Sequence, residues 1–266
     1  MARSALLNVM VQAAMKAGRS LSRDFGEVQN LQVSLKGPGD YVSQADRKAE
    51  EIVFTELSRA RPGYGFLMEE RGAVAGDDDQ HRWIVDPLDG TTNFLHGLPI
   101  FAVSIALERQ GHVVAAVVYN PAMDELYTAE RGGGAFLNDR RLRVAARAKL
   151  SDAVIGTGVP HLGMTAHGNY LVELRNVMGE VSGIRRLGSA SLDLAYVAAG
   201  RFDGFWESGL HPWDIAAGML LIREAGGFVS DFDGGQAMFD DHTVVAGNEA
   251  IHKALLKTIK KPVSAR

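Results

Sequence analysis

Two aspartates placed three positions apart, Asp86 and Asp89, sit in the stretch Trp83-Ile84-Val85-Asp86-Pro87-Leu88-Asp89-Gly90-Thr91-Thr92. An apolar run that stops at Pro and Gly reads as a buried strand with carboxylates held at its end. Two like charges at short range raise each other's pKa unless a cation lies between them. Hard divalent cations such as Mg²⁺ accept oxygen ligands of this kind, a few carboxylates completed by water and substrate phosphate. Pro87 removes a backbone donor, Gly90 lets the chain approach a ligand closely, and Thr91 and Thr92 add hydroxyls ahead of a short helix whose free N–H groups suit an anion. Taken alone, the segment reads equally as an Asp-rich turn that caps its own backbone.

Other carboxylates stand where they could join this pair. Glu69 ends the apolar run Tyr64 to Met68, and Asp214 follows His211-Pro212-Trp213 at a helix start. Asp46 precedes a helical pattern and reads locally as its N-cap. No Cys is present, so disulfides, thiolate metal sites and Cys nucleophiles are excluded. The eight His residues show no H-E-x-x-H spacing, which removes a zinc-protease reading. A net charge of −4 implies no strongly basic face for a nucleic acid, although Arg131, Arg140, Arg141, Arg143, Arg147 and Lys149 form a local basic cluster that reads as solvated hairpin and linker.

The elements that must position these groups follow from periodicity. Helical spacing runs from residue 4 to about 24, and an amphipathic helix fits there better than a signal peptide because Asn8, Gln12 and Lys16 interrupt the apolar run. Leu31 to Leu35 alternates as a strand, Arg47 to Arg59 is helical, and Arg71 to Arg82 reads as a solvated loop. Four apolar strands follow, at Phe101–Glu108, Val113–Tyr119, Glu125–Ala129 and Gly134–Leu137. A composition shift at Ala145 to Asp152 divides an α+β domain, residues 1–148, from an α/β domain, residues 149–266, in which helices and strands alternate. With 46% hydrophobic residues and no stretch of transmembrane length, a soluble, cytoplasmic chain with a substantial core is expected.

Set together, Glu69-Glu70, Asp86-Pro87-Leu88-Asp89-Gly90-Thr91-Thr92-Asn93-Phe94 and Trp213-Asp214-Ile215-Ala216-Ala217-Gly218 resemble the inositol monophosphatase family of Mg²⁺-dependent, lithium-sensitive phosphatases. Lys36 to Asp46 and Gly188-Ser189-Ala190 support the match, which is similar in order across nearly the whole chain and nearest the bacterial inositol-1-monophosphatase branch. The resemblance implies a layered α-β-α-β-α sandwich of the inositol monophosphatase and fructose-1,6-bisphosphatase type, and a homodimer. It implies two or three Mg²⁺ ions: one held by Glu69, Asp86 and the Leu88 carbonyl, a second by Asp86, Asp89 and Asp214, and a weaker third near Glu69. Thr91 would bond the attacking water with Asp46 behind it, the N–H groups of Gly90 and Thr91 would hold phosphate, and Arg185, Ala190 and Glu207 would line the pocket for inositol hydroxyls. The implied reaction is hydrolysis of myo-inositol 1-phosphate or a similar polyol phosphate by activated water. Histidinol phosphate, fructose 1,6-bisphosphate and 3′-phosphoadenosine 5′-phosphate are the alternative substrates within the family. The branch is also linked to RNA polymerase, so a transcription-associated binding role is the alternative from another class. The Gly-rich loop from Gly37 to Tyr41 is expected to be mobile without metal.

Overall fold

The computed structural model describes residues 3–25, 33–37, 40–160 and 167–261. Helix α1 (Ala5–Phe25) is followed by a small hairpin, β1 (Val33–Gly37) and β2 (Asp40–Ser43), and by helix α2 (Gln44–Ala60). Next come β3 (Tyr64–Met68), β4 (Gly72–Val74), β5 (Asp78–Asp89), the short helix α3 (Thr91–Leu95), β6 (Ala102–Arg109), β7 (His112–Asn120), β8 (Glu125–Glu130), β9 (Gly134–Leu137) and β10 (Arg140–Arg141). The second half contains β11 (Val154–Thr157), α4 (His167–Met178), β12 (Gly183–Arg185), α5 (Ala190–Ala198) and β13 (Gly204–Ser208). It closes with α6 (Pro212–Glu224), β14 (Phe228–Ser230), α7 (Met238–Asp241), β15 (Thr243–Gly247) and α8 (Glu249–Ile259).

Five layers result. Strands β3 to β10 form an eight-stranded sheet in the order β10-β9-β8-β7-β6-β5-β3-β4, and β11 to β15 form a five-stranded sheet in the order β12-β11-β13-β15-β14. Side chains alternate across a strand, so consecutive core residues of β5 serve different layers. Trp83 and Val85 pack with α1 and α2 on the outer face, through Met10, Ala14, Val53 and Leu57. Ile84, with Ala106, Ala116 and Val118, faces the inner side, where it meets α5 and α6. Those two helices are apolar nearly all round, as a helix buried between two sheets must be. Their far side packs on Phe205, Val244 and Ala246 of the five-stranded sheet. Ile155, Trp206 and Val245 face outward to α4 and α8, through Tyr170, Val177, Ile251 and Leu255. The expected α-β-α-β-α sandwich is therefore the observed one.

Two local expectations change. Residues 71–82 are not a solvated loop: β4 lies there, and β5 begins at Asp78, paired through Tyr64↔Asp78 and His81↔Arg109. This end of β5 projects beyond the core, so its residues are polar and carry no apolar signal. Asp78 holds it by accepting the Gln80 N–H at 2.7 Å and pairing with His81 Nδ1 at 2.8 Å. Asp46 is not the N-cap of α2: Ser43 is, and Asp46 is its partner three positions on in a capping box. Of the strand expected at Leu31–Leu35, Leu31 and Gln32 lie outside the described residues, as do residues 38 and 39 of the loop from Gly37 to Tyr41. Among the described residues, no helix is long and apolar enough to cross a membrane.

Candidate active site

The Asp86–Asp89 pair owes its geometry to a bulge. Along an undisturbed strand, residues three apart point to opposite faces. Here β5 pairs Asp86↔Ser104 and then Asp89↔Ala102, so three steps on β5 match two on β6. The extra residue, at Pro87-Leu88, restores Asp89 to the side of Asp86. The Leu88 N–H donates to Asp86 Oδ1 at 2.9 Å and fixes that carboxylate on the turn. Gly90 then takes φ +95°, and a Cβ there would stand 2.8 Å from the Ile100 carbonyl oxygen, so both conformation and crowding require glycine. Gly90 is the N-cap of α3, whose first-turn N–H groups have no preceding carbonyls to bond.

Thr91, the first residue of α3, directs its hydroxyl to Asp46 Oδ1 at 2.9 Å and to the Leu88 carbonyl at 3.1 Å. Asp46 is fully buried and divides its work. Its Oδ2 accepts from Ser43 N at 2.9 Å and Ser43 Oγ at 2.6 Å, closing the cap, while Oδ1 faces Thr91. Burial pushes the Asp46 carboxyl above the usual carboxylate range, against the pull of these hydrogen bonds.

A cavity of about 500 Å³ opens beside this turn. Glu69, at the end of β3, and Asp89 line it from the first half; Ala190, Glu207, His211, Trp213 and Asp214 line it from the second. Asp214 is the third residue of α6 and accepts the His211 N–H at 2.7 Å, as a helix start with Pro at its first position favours. Glu207, on β13, sits against Gly158, where a Cβ would lie 1.8 Å from Glu207 Oε1. Arg185 does not join them: it is exposed and donates to the carbonyl of Ile184 at 2.9 Å, while Arg186 lines the cavity. Successive side chains leave an extended segment on opposite sides, so an expectation one position off points away from the site.

The electrostatics test whether these residues suit a cation. Asp86 is raised well above the usual range by burial, then by the charges of Glu69, Asp89 and Asp214, and it lies within hydrogen-bonding reach of Glu69. Asp214 is raised by burial and next by Asp89. Asp89 is raised by burial and eased by the hydroxyls of Ser189 and Ser191. Among the described residues, no three His, Asp or Glu side chains already stand in a finished ligand array around one point. The donor chemistry nevertheless fits a hard cation: four mutually repelling oxygen acids, with no lysine or arginine paired to Asp86, Asp89 or Asp214 among the described ion pairs.

Three contributors carried no role in the sequence reading. Asn93 Nδ2 donates to the carbonyls of Ile100 and Leu187, both at 2.8 Å, and so ties the turn to the second half. Ser191 bonds Asp89. Asp193 lines the cavity, is 1% exposed, and its carboxyl is pushed well up by burial and then by Glu207 and Asp89. An aspartate inside the apolar helix Ala190-Ser191-Leu192-Asp193-Leu194-Ala195 was the available signal for the last of these.

Comparison with known proteins agrees with this geometry. The sequence matches the inositol monophosphatase family over residues 2–264. It is 83% identical to an inositol-1-monophosphatase of Mesorhizobium japonicum over the full length of both chains. It is 47% identical to the Nus factor SuhB of Pseudomonas aeruginosa, covering 96% of each. The crystal structure of the extragenic suppressor protein suhB from Bartonella henselae superposes with a TM-score of 0.96 at 69% identity, covering 98% of this chain and 100% of that one. With a fold, a carboxylate-lined cavity and a sequence that all agree over essentially its whole length, the chain belongs to the inositol monophosphatase family and is a phosphatase.

Proposed function

We propose that the protein hydrolyses myo-inositol 1-phosphate, or a similar polyol phosphate, with Mg²⁺ as its cofactor. The observation behind this reading is the convergence of Glu69 and Asp89 from one half of the chain with Asp214 from the other on a single cavity, with Asp86 buried against all three. Glu69, Asp86 and the Leu88 carbonyl would hold one ion, Asp86, Asp89 and Asp214 would hold a second, and a weaker third would be held near Glu69. When bound, Mg²⁺ supplies Lewis-acid chemistry, making water nucleophilic at neutral pH and offsetting charge on the leaving alkoxide.

The protein's own groups supply orientation. Thr91 donates to Asp46, which leaves its oxygen lone pairs to accept a hydrogen bond from the attacking water; as the water gives up its proton to Thr91, the Thr91 hydroxyl proton passes to Asp46. The N–H groups of Gly90 and Thr91, at the start of α3, receive phosphate oxygens. Glu207 and Ala190 receive the polyol, where a carboxylate can accept two hydroxyl hydrogen bonds and the small Ala190 leaves room. Asp46 in turn is held by Ser43, so the proton acceptor and the helix start are built from one side chain. Water attacks phosphorus directly, with no covalent intermediate on the protein.

In this reading residues 1–148 carry most of the cation ligands and residues 149–266 add Asp214 and the polyol pocket. The working form is a cytoplasmic homodimer, and lithium inhibits by competing for a Mg²⁺ position. Phosphate release with and without Mg²⁺, compared across myo-inositol 1-phosphate, histidinol phosphate, fructose 1,6-bisphosphate and 3′-phosphoadenosine 5′-phosphate, tests the assignment. Asp89→Asn with normal turnover would sink it. A second reading, contact with the transcription machinery, is favoured by the name of the Pseudomonas relative. Pull-down of RNA polymerase by both wild type and Asp89→Asn would show such binding to be separate from catalysis.

A further inference from the structure

The carboxylate of Asp89 is bonded in an unequal way. Ser189 Oγ donates to its Oδ2 at 2.6 Å, Ser191 N donates to Oδ2 at 2.7 Å, and Ser191 Oγ donates to the same atom. A carboxylate oxygen offers about two lone-pair sites, so three donors saturate it. Ser191 N belongs to the first turn of α5, whose positive dipole end adds attraction for this one oxygen. The donors themselves are immobile: all nine residues of α5 are buried between the two sheets. The loop leading into α5 is clamped as well, since Asn93 Nδ2 holds the Leu187 carbonyl at 2.8 Å and the Gly188 carbonyl at 3.3 Å.

We infer that Ser189 and Ser191 are positioning residues that commit Asp89 to ligation through Oδ1 alone, and that they thereby set the preference of the site for Mg²⁺ over Ca²⁺. The inference rests on the cation reading given above. Mg²⁺ demands near-octahedral geometry and is bound through single carboxylate oxygens, whereas Ca²⁺ takes a larger, flexible shell that readily includes bidentate carboxylates. With Oδ2 engaged by three donors, Asp89 cannot chelate with both oxygens. Without the two hydroxyls only backbone N–H donors of Ala190 and residue 191 remain on the carboxylate, which can then turn to offer both oxygens, an arrangement that suits the larger ion and loosens the smaller one.

The test is calorimetric titration of Mg²⁺ and, separately, Ca²⁺ into the full-length protein without substrate. Wild type is compared with Ser189→Ala/Ser191→Ala, Ser191→Ala, Ser191→Thr and Asp214→Asn. Removing groups that orient a metal ligand typically weakens binding by about 10- to 100-fold. The double variant is expected to lose Mg²⁺ affinity on that scale while Ca²⁺ affinity falls by less or rises, so that the Mg²⁺/Ca²⁺ ratio drops at least about tenfold. Ser191→Thr, which keeps the hydroxyl, should keep the wild-type ratio. Equal losses for both ions, or an unchanged ratio, would overturn the inference, because a purely structural defect weakens both alike. If the double variant does not fold, Ser191→Ala alone decides on the same ratio. Asp214→Asn separates the two levels: if it binds both ions as wild type does, the cation site itself is misassigned and this inference goes with it.

Discussion

Glu207 lies so close to the Cα of Gly158 that a methyl group there would meet its carboxylate at 1.8 Å. The Glu207 side of the cavity is therefore shaped by the absence of a side chain on one strand end as much as by the presence of one on another. Gly158→Ala should push Glu207 out of its seat. We expect KM for myo-inositol 1-phosphate to rise about tenfold, the scale of one lost polar contact, with little change for a small aryl phosphate that has no hydroxyls to recognise. Steady-state kinetics on the two substrates checks this, and an equal loss on both would place Glu207 outside the recognition site.

Thr91 and Ser43 both bond Asp46, on different oxygens, which lets capping be separated from catalysis. Thr91→Val keeps the capping box and removes the hydroxyl; kcat should fall about 100-fold or more, the usual scale for losing a proton-handling group, with thermal stability nearly unchanged. Ser43→Ala should do the reverse in emphasis, losing about 1 kcal/mol of stability with the cap. Parallel kinetics and urea unfolding on the two variants report both effects.

Stability of the metal-free protein should fall as pH rises from about 5 to about 8, the interval set by Glu207. Its carboxyl is pushed up to about 8 by burial and by the charge of Asp89, against the pull of Arg186, from an ordinary value of 4.5. Between those values the folded protein keeps a proton that the unfolded chain has already released, so unfolding sheds a proton and rising pH favours it. Asp193, raised by the same kinds of cause, acts in the same direction. Melting curves without divalent ions should decline across this window. Glu207→Gln should flatten the decline, and an unaltered slope in that variant would show that Glu207 is not responsible.

Asn93 donates to two carbonyls from opposite sides of the site, those of Ile100 and Leu187. Asn93→Ala leaves both half-buried carbonyls without this donor, and each lost hydrogen bond of this kind costs about 1 kcal/mol or more. A loss of at least about 2 kcal/mol in urea unfolding is expected.

Most of the layered fold was legible because its outer helices are amphipathic, while the buried strands and central helices stand out as apolar runs. The start of β5 was hidden because Asp78-Asp79 extends past the apolar layers, where strand residues need not be hydrophobic. The carboxylates proposed as cation ligands stand out in the sequence at element ends, but nothing in one dimension showed the bulge at Pro87-Leu88 that turns Asp86 and Asp89 the same way. Arg185 and Arg186 illustrate the same limit. Only the path of the chain beyond β12 decides which of two adjacent arginines faces the cavity. Ser191 reads as an ordinary small helix residue until Asp89, 102 positions away, is brought against it.

The central layer has a cost during synthesis. Ile84, Ala106, Ala116 and Val118 present an apolar face that α5 and α6 cover, and α6 runs to Glu224. At about 5–20 residues per second, a ribosome needs roughly 5–20 s to make the chain between Val118 and the end of α6. Throughout that interval the nascent sheet exposes a sticky surface, so the growing chain is a natural client for holding factors until its second half emerges.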